Sequence, residues 1–394
     1  MPRQGSWSVY IHFPWCLKRC AYCDFATAVS LHIPREAYLQ AILTELQMRT
    51  HDLQPAPIAT VYFGGGTPSL WGPEPVGQVL SWLDRWGGLA QGAEITLEAN
   101  PGAAEEGNLR GYLAAGINRI SLGVQALDDR RLALLDRVHD AAAARKTLAL
   151  LGQWVASGQL ISASADLLYG APDQDQLRLS ADVDGVLGHG LPHLSAYALT
   201  VEEGTPLATR VERGLQTPPD DDLQMTMLSQ MPALVGKHGL ERYEVSNFAK
   251  PGHRSRHNLV YWTGGHYLAA GVGAHGFLPS DQGEFRYGNT RQHREYLGAL
   301  GPDRASSLVL PEVLREHVTP QMRLPELLLT GLRLDDGLDL RTVERDCGSA
   351  GLHELLRRVE LAKSRGFELE TQGHFLRVAA TATERLDAVI RELA

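Results

Sequence analysis

Up to about residue 200, short apolar runs alternate with longer stretches of helical periodicity. Val9–Phe13, Thr60–Phe63, Glu94–Glu98, Arg119–Val124, Ile161–Leu168 and His193–Leu199 read as strands. Arg35–Arg49, Pro75–Trp86 and Ala141–Ser157, lying between them, read as helices. Strands alternating with helices at this spacing predict a parallel sheet joined by crossover helices. Six such units make an α/β fold of partial (βα)6 TIM-like barrel type, short of the usual eight. Polar residues and glycines fall at the C-terminal ends of the strands, the face on which barrel sites are built.

The pattern changes after Glu203-Gly204-Thr205-Pro206. Pro218-Pro219-Asp220-Asp221-Asp222 reads as a helix start with carboxylates at the positive end of the dipole, and so as a cap rather than a metal site. Residues 236–288 are rich in glycine, histidine and aromatics, and from about Glu312 the periodicity is helical again. Phe367–Glu370 and His374–Val378, separated by Thr371-Gln372-Gly373, read as a hairpin, and Thr383–Leu393 as a closing helix. Helices followed by a hairpin predict an α+β winged-helix-like module. The expected division is 1–205 for the barrel and its site, 206–305 for a connecting and covering segment, and 306–394 for the C-terminal module.

At 394 residues the chain suits two or three domains, and a hydrophobic fraction of 44% is ample for a buried core. A net charge of −9 makes it a poor default binder of nucleic acid. The segment before the first strand lacks a signal-peptide pattern, and the uncharged stretch Thr147–Ala165 is too polar to span a membrane. Four cysteines, three of them in one motif, indicate a reducing compartment and hence the cytoplasm. Cys347, the fourth, reads as a small apolar residue of a helix.

The other three, Cys16, Cys20 and Cys23, follow the first strand with spacing C-x-x-x-C-x-x-C. Three thiolates on one loop can hold three corners of a 4Fe–4S cube, leaving one iron open to a small molecule. A zinc knuckle would need a fourth ligand, for which His12 is the nearby candidate, and a disulfide framework would suit a small secreted chain.

This loop, with aromatic Tyr22 just before its last cysteine, resembles that of radical S-adenosylmethionine (SAM) enzymes. The flanking Tyr10-Ile11-His12 and Asp24-Phe25 resemble the branch containing oxygen-independent coproporphyrinogen III oxidase and the HemW-type heme chaperones. The resemblance implies a 4Fe–4S cluster on Cys16, Cys20 and Cys23, with SAM chelating the open iron. An electron from the cluster would then cleave the S–C5′ bond of SAM.

Gly64-Gly65-Gly66-Thr67-Pro68 follows the second strand; glycines admit close backbone approach to a ligand. Gly65, Gly66 and Thr67 resemble the family's motif for the SAM amino group. Glu98, at the end of the third strand, could accept bonds from ribose hydroxyls. Gln125 ends the fourth strand, and Arg137, with His139, is expected on the next helix, where a guanidinium suits the methionyl carboxylate. Arg130 and Arg131 read as surface residues. Asp166, inside an apolar run, needs a partner or a ligand. Glu98, Gln125, Arg137, His139 and Asp166 match the relatives' SAM-contact pattern.

Two features separate the relatives. Phe25 stands where the oxidase would carry a further cysteine, and only nine residues precede Tyr10. His257-Asn258-Leu259-Val260-Tyr261-Trp262 resembles the His-Asn-x-x-Tyr-Trp motif of heme chaperones. His257 could offer an imidazole to heme iron while Tyr261 and Trp262 cover the macrocycle; His253, His266 and His275 compete for that role. The resemblance implies heme and an acceptor hemoprotein as partners. Oxidative decarboxylation of coproporphyrinogen is the alternative. An iron–sulfur regulator binding nucleic acid through the C-terminal module is a third class, against which its interspersed arginines and glutamates argue.

Overall fold

The computed structural model describes residues 5–102, 106–303, 307–379 and 385–394. Its centre is a nine-stranded sheet. Six strands come from the predicted units: β1 (Trp7–Phe13), β2 (Ile58–Gly65), β3 (Leu89–Ala99), β4 (Arg119–Gln125), β5 (Ser162–Tyr169) and β6 (His193–Ala198). They pair in parallel in that order.

Alternation explains why these segments are strands. Val9, Ile11 and Phe13 of β1, Val61 and Phe63 of β2, Ile120, Leu122 and Val124 of β4, and Ala163, Ala165 and Leu167 of β5 join one buried apolar cluster. The intervening residues of β3 to β6 line a cavity: Thr96 and Glu98, Arg119 and Ser121, Ser164 and Asp166, His193 and Ser195. A period of two thus sends apolar side chains toward the helices and polar ones into the barrel.

Three more strands complete the sheet. Leu268–Ala270 pairs in parallel with β1 on one edge; Asn247–Ala249 runs antiparallel to β6 on the other and pairs with Glu241–Glu244. His275–Ser280, Gly283–Asn289 and Glu312–Val318 form a separate antiparallel sheet. The segment from Glu312, expected to be helical, is therefore first a strand, and the helix begins at Pro320. The short strands near residues 245 and 268 carry too few residues to show a period.

Toward the C-terminus, helices Pro320–Gly331, Leu340–Ser364 and Leu386–Leu393 pack around their own apolar cluster beside a small antiparallel sheet, Leu338–Asp339, Phe375–Val378 and Leu369–Gln372. The hairpin turn is Gly373-His374 rather than Thr371-Gln372-Gly373, because Thr371 and Gln372 pair within the strand. The expected closing helix begins at Leu386; Thr383 and Glu384 lie outside the described residues. Cys347 packs against this apolar cluster, as a small apolar residue would. The acidic run near 220 is a cap: the Asp220 carboxylate accepts from Leu223 N at 2.9 Å.

Arg131 is buried and ion-paired with Asp182, so its reading as a surface residue was wrong, while Arg130 is exposed as expected. The partner lies 51 residues away, outside any local pattern. Among the described residues no helix is long and apolar enough to cross a membrane.

Candidate functional site

The C-terminal ends of β1 to β6 open into a cavity of about 460 Å³. Its wall includes Cys16, Cys20, Tyr22, Cys23, Gly65, Gly66, Thr67, Glu98, Gln125, Arg137 and Asp166. Residues separated by up to 150 positions in the chain therefore meet in one place.

The cysteine loop leaves β1 through Pro14. Trp15–Cys16 forms a short pairing with Ala28–Val29, which closes the loop on itself. All three thiols are free and partly exposed. Burial pushes the Cys16 thiol up to about 11 and raises that of Cys23 as well. Such thiols release protons when they ligate metal. Thr67 Oγ1 lies 3.6 Å from Cys16 Sγ, and Arg137 Nη1 lies 3.1 Å from Cys20 Sγ.

Gly65 has φ +116°, and a Cβ there would stand 2.6 Å from the His12 ring. A Cβ on Gly66 would stand 2.7 Å from the Trp15 carbonyl oxygen and 3.0 Å from Cys16 Sγ. Glycine is thus needed for the turn to pass so close to the cysteine loop. The turn is fixed by Gly66 N donating to Phe13 O at 2.7 Å and Thr67 N to Trp15 O at 2.9 Å.

Glu98 accepts from Tyr62 OH at 2.8 Å and from Gly65 N at 3.0 Å. Burial nonetheless raises its carboxyl to about 7. Burial likewise raises Asp166 to about 6, against the Ser195 and Ser121 hydroxyls that hold it. Gln125 sits at φ +65° beside a register shift in β4, a backbone cost characteristic of ligand sites.

Arg137 lies on the connection between helices Asp129–Leu134 and Ala141–Ala156, rather than on a helix as expected. Asp136 at φ +56° breaks the first helix, and Asp140 caps the second. Arg137 donates to Asn100 Oδ1 and, at 2.7 Å, to the Gly123 carbonyl, while its buried Nε has no partner. The same connection places His139 Nε2 3.2 Å from the Val124 carbonyl.

Two residues of the site were missed by sequence reasoning. Asn100, read as turn chemistry, accepts from Arg137 and donates to Thr67 Oγ1 at 3.2 Å. Tyr62 orients Glu98; its signal was its place two residues before Gly64 on the polar face of β2.

These features fit the implied cluster and SAM. The free thiols, the close glycine turn and the unpartnered Arg137 Nε converge on one cavity. Thr96 Oγ1 and His193 Nδ1, also buried without partners, line it too. A zinc knuckle fits less well, because His12 shares one ring nitrogen with Tyr10 OH at 3.0 Å and the other with Ala26 O at 3.1 Å.

The heme motif touches this cavity only through Asn258. The helix Arg256–Trp262 packs against β2 and the middle of β3, where Glu94 accepts from His257 N at 2.9 Å. His257 has 0% exposure. Its Nδ1 lies 2.8 Å from Thr60 Oγ1 and its Nε2 2.7 Å from Tyr261 OH; burial lowers its pKa to about 3. His257, Tyr261 and Trp262 do not line the cavity, whereas Ser255 and Asn258 do. Of the competing histidines, His253 contacts Ser162 Oγ, His266 pairs with Glu284, and His275 is exposed.

Comparison with known proteins gives the family. A model of the radical SAM superfamily matches residues 10–175. A protein of Mycobacterium tuberculosis described as heme chaperone HemW is 37% identical over 343 residues, 86% of this chain and 84% of its own. HemW of Escherichia coli is 37% identical over 74% of this chain and 75% of its own. The mitochondrial radical S-adenosyl methionine domain-containing protein 1 of Bos taurus is 38% identical over 84% of this chain and 74% of its own. The solved structure of E. coli coproporphyrinogen III oxidase (HemN) superposes with a TM-score of 0.79 at 19% identity, covering 98% of this chain and 90% of that one, which establishes a shared fold. The chain belongs to the HemW family of the radical SAM superfamily.

Proposed function

We propose that this protein is a cytoplasmic heme chaperone that takes up heme and passes it to an acceptor hemoprotein. The observation that carries the reading is 37% identity over 86% of the chain to a protein described as a heme chaperone. The intact His257–Trp262 segment supports it, as does exposed Phe25 at the cavity wall, where the oxidase would have a cysteine.

Cys16, Cys20 and Cys23 would hold a 4Fe–4S cluster, which supplies an electron and one exchangeable iron position. Gly65, Gly66 and Thr67 would receive the amino group of SAM, and Arg137 its carboxylate through the unpartnered Nε. Glu98, anchored by Tyr62 and Gly65, would accept from the ribose hydroxyls, with Gln125 and Asp166 completing the wall. Tyr22, on the cavity wall beside the last cysteine, would contact the cofactor; Tyr10, expected to do so too, does not line the cavity and meets His12 Nδ1 at 3.0 Å. At the other end of the barrel, His257 would serve as the axial base once it leaves Tyr261, with Tyr261 and Trp262 against the macrocycle.

A nucleic-acid role for the C-terminal module finds little support. Arg341, Arg345, Arg357 and Arg358 pair with Asp339, Asp346 and Glu354, so their charges are already answered.

The test is anaerobic incubation of the cluster-loaded protein with SAM, reductant and coproporphyrinogen III, alongside heme titration and transfer to an apo-hemoprotein. Stoichiometric heme uptake and transfer without conversion is the expected result. Efficient formation of protoporphyrinogen would restore the oxidase.

A further inference from the structure

Deep in the cavity one buried charge is left without a partner. Four arginines are buried among the described residues: Arg49, Arg119, Arg131 and Arg323. Arg49 pairs with Glu45 at 2.6 Å, Arg131 with Asp182, and Arg323 with Asp346 at 3.2 Å. Arg119 is 2% exposed and lines the cavity. Among the described residues it has no carboxylate at ion-pairing distance, and Nη1 donates to the His253 carbonyl at 3.2 Å. A buried guanidinium without a counter-charge is costly. Asp166, on the same wall, is already held: Ser121 Oγ donates to it at 3.3 Å and in turn accepts from Ser164 Oγ at 2.8 Å.

Two further groups on this wall are unsatisfied. Thr96, opposite Arg119 in the strand register, has a buried hydroxyl with no partner. His193, opposite Ser164, has a buried Nδ1 with none. Its Nε2 lies 2.8 Å from Tyr243 OH, and that phenol oxygen accepts from Ser255 N at 3.2 Å. The phenol proton therefore goes to His193 Nε2, which places the imidazole proton on Nδ1 and makes it a donor. Burial, with Arg119 adding to it, lowers the His193 pKa well below the usual range, so the ring is neutral. A guanidinium, an imidazole N–H and a hydroxyl thus face the cavity together, and what they lack is an acceptor with negative charge.

We infer that the inner end of the cavity is a second binding site, in which Arg119 takes the carboxylate of a small monocarboxylic acid while SAM occupies the outer part. The inference rests on the reading that Arg137 holds the SAM carboxylate. Arg119 stands six residues before Gln125 on β4, roughly 20 Å along an extended strand, so SAM anchored beside Cys20 cannot also place its carboxylate there. A carboxylate matches the guanidinium fork. A monoanion also balances its single charge, whereas a phosphate dianion would add excess charge beside Glu98 and Asp166. The cavity of about 460 Å³ must hold SAM as well, which restricts the second ligand to a small molecule.

The experiment uses the full chain carrying its cluster and saturated with SAM. Acetate and propionate binding is read by saturation-transfer NMR of their methyl groups, with inorganic phosphate as competitor. Both acids are expected to bind, and phosphate at equal concentration should not displace them. Arg119→Met should weaken them by about ten-fold or more, with SAM affinity by calorimetry unchanged. Thr96→Val should weaken them by about two- to ten-fold. Arg119→Met also removes a charge without a counter-ion, so it should melt no lower than the parent, whereas Arg131→Met strands Asp182 and should melt lower.

SAM binding by the parent with no carboxylate signal would overturn the second site alone, as would equal carboxylate binding by Arg119→Met. Displacement by equimolar phosphate would overturn the carboxylate assignment. A fall in melting temperature as large as that of Arg131→Met would make Arg119 a structural residue and overturn the inference. Loss of SAM binding in Arg119→Met would do so too, by placing Arg119 in the SAM site. Failure of the parent to bind SAM would overturn the reading of the outer site, and the joint occupancy with it.

Discussion

The mouth and the floor of the barrel are built from the same strands but treat their polar groups in opposite ways. At the mouth, the three thiols form no disulfide, and Arg137 Nε and Thr96 Oγ1 are buried with no partner. At the floor, His257 has both ring nitrogens and its backbone N engaged, and Glu94 also accepts from Arg256 N at 3.2 Å. A buried donor left unpaired costs about 1–3 kcal/mol, so native chains pair such groups unless something else is to meet them. The mouth is therefore prepared for ligands, and the floor must rearrange before it can receive one.

The largest expected effect is at the mouth. Replacing Cys16, Cys20 or Cys23 by Ala should abolish the cluster, while Cys347→Ala should match the parent in iron, sulfide and Mössbauer spectrum. Loss of the cluster in Cys347→Ala would break the assignment.

Next comes SAM. Arg137→Met removes a charged donor and should weaken SAM binding by about ten-fold or more, read by calorimetry. Binding should also tighten as pH rises through about 7, because Glu98, raised to about 7 by burial, accepts ribose hydroxyls fully only when ionised. Glu98→Gln should flatten that profile. A pH-independent affinity in the parent would remove Glu98 from the site.

A smaller effect is expected at the floor. Glu94→Ala strands the amides of Arg256 and His257 and should lower stability by about 1–3 kcal/mol for a buried donor, measured by thermal unfolding. Cluster content should not change. The smallest effect is outside both regions: Arg357→Ala loosens an exposed pair with Glu354 and should leave the melting temperature where it was. A gel-shift assay with duplex DNA should show no binding by the parent or this variant.

The mouth was far more legible in the sequence than the floor. Cys16, Cys20 and Cys23 sit within one loop, and Glu98 and Gln125 sit at the ends of strands whose apolar alternation is local. Knowing the strands was enough to bring those residues together. The floor depends on pairings that span the chain. Leu268–Ala270 lies beside β1 although more than 250 residues separate them, and its three residues carry no readable period. His257 looked available as a ligand because two of its three partners, Thr60 and Glu94, are remote in sequence. Arg131 looked exposed for the same reason, with Asp182 out of local view. The strand at Glu312 misled because its middle residues are largely exposed and alternate poorly.

The claim that the mouth is a three-cysteine cluster site open to SAM is tested most directly by EPR of the reduced, reconstituted protein. Addition of SAM should change the signal of the 4Fe–4S cluster, as a ligand arriving at the open iron would. An unchanged signal at saturating SAM, with no heat of binding by calorimetry, would contradict it.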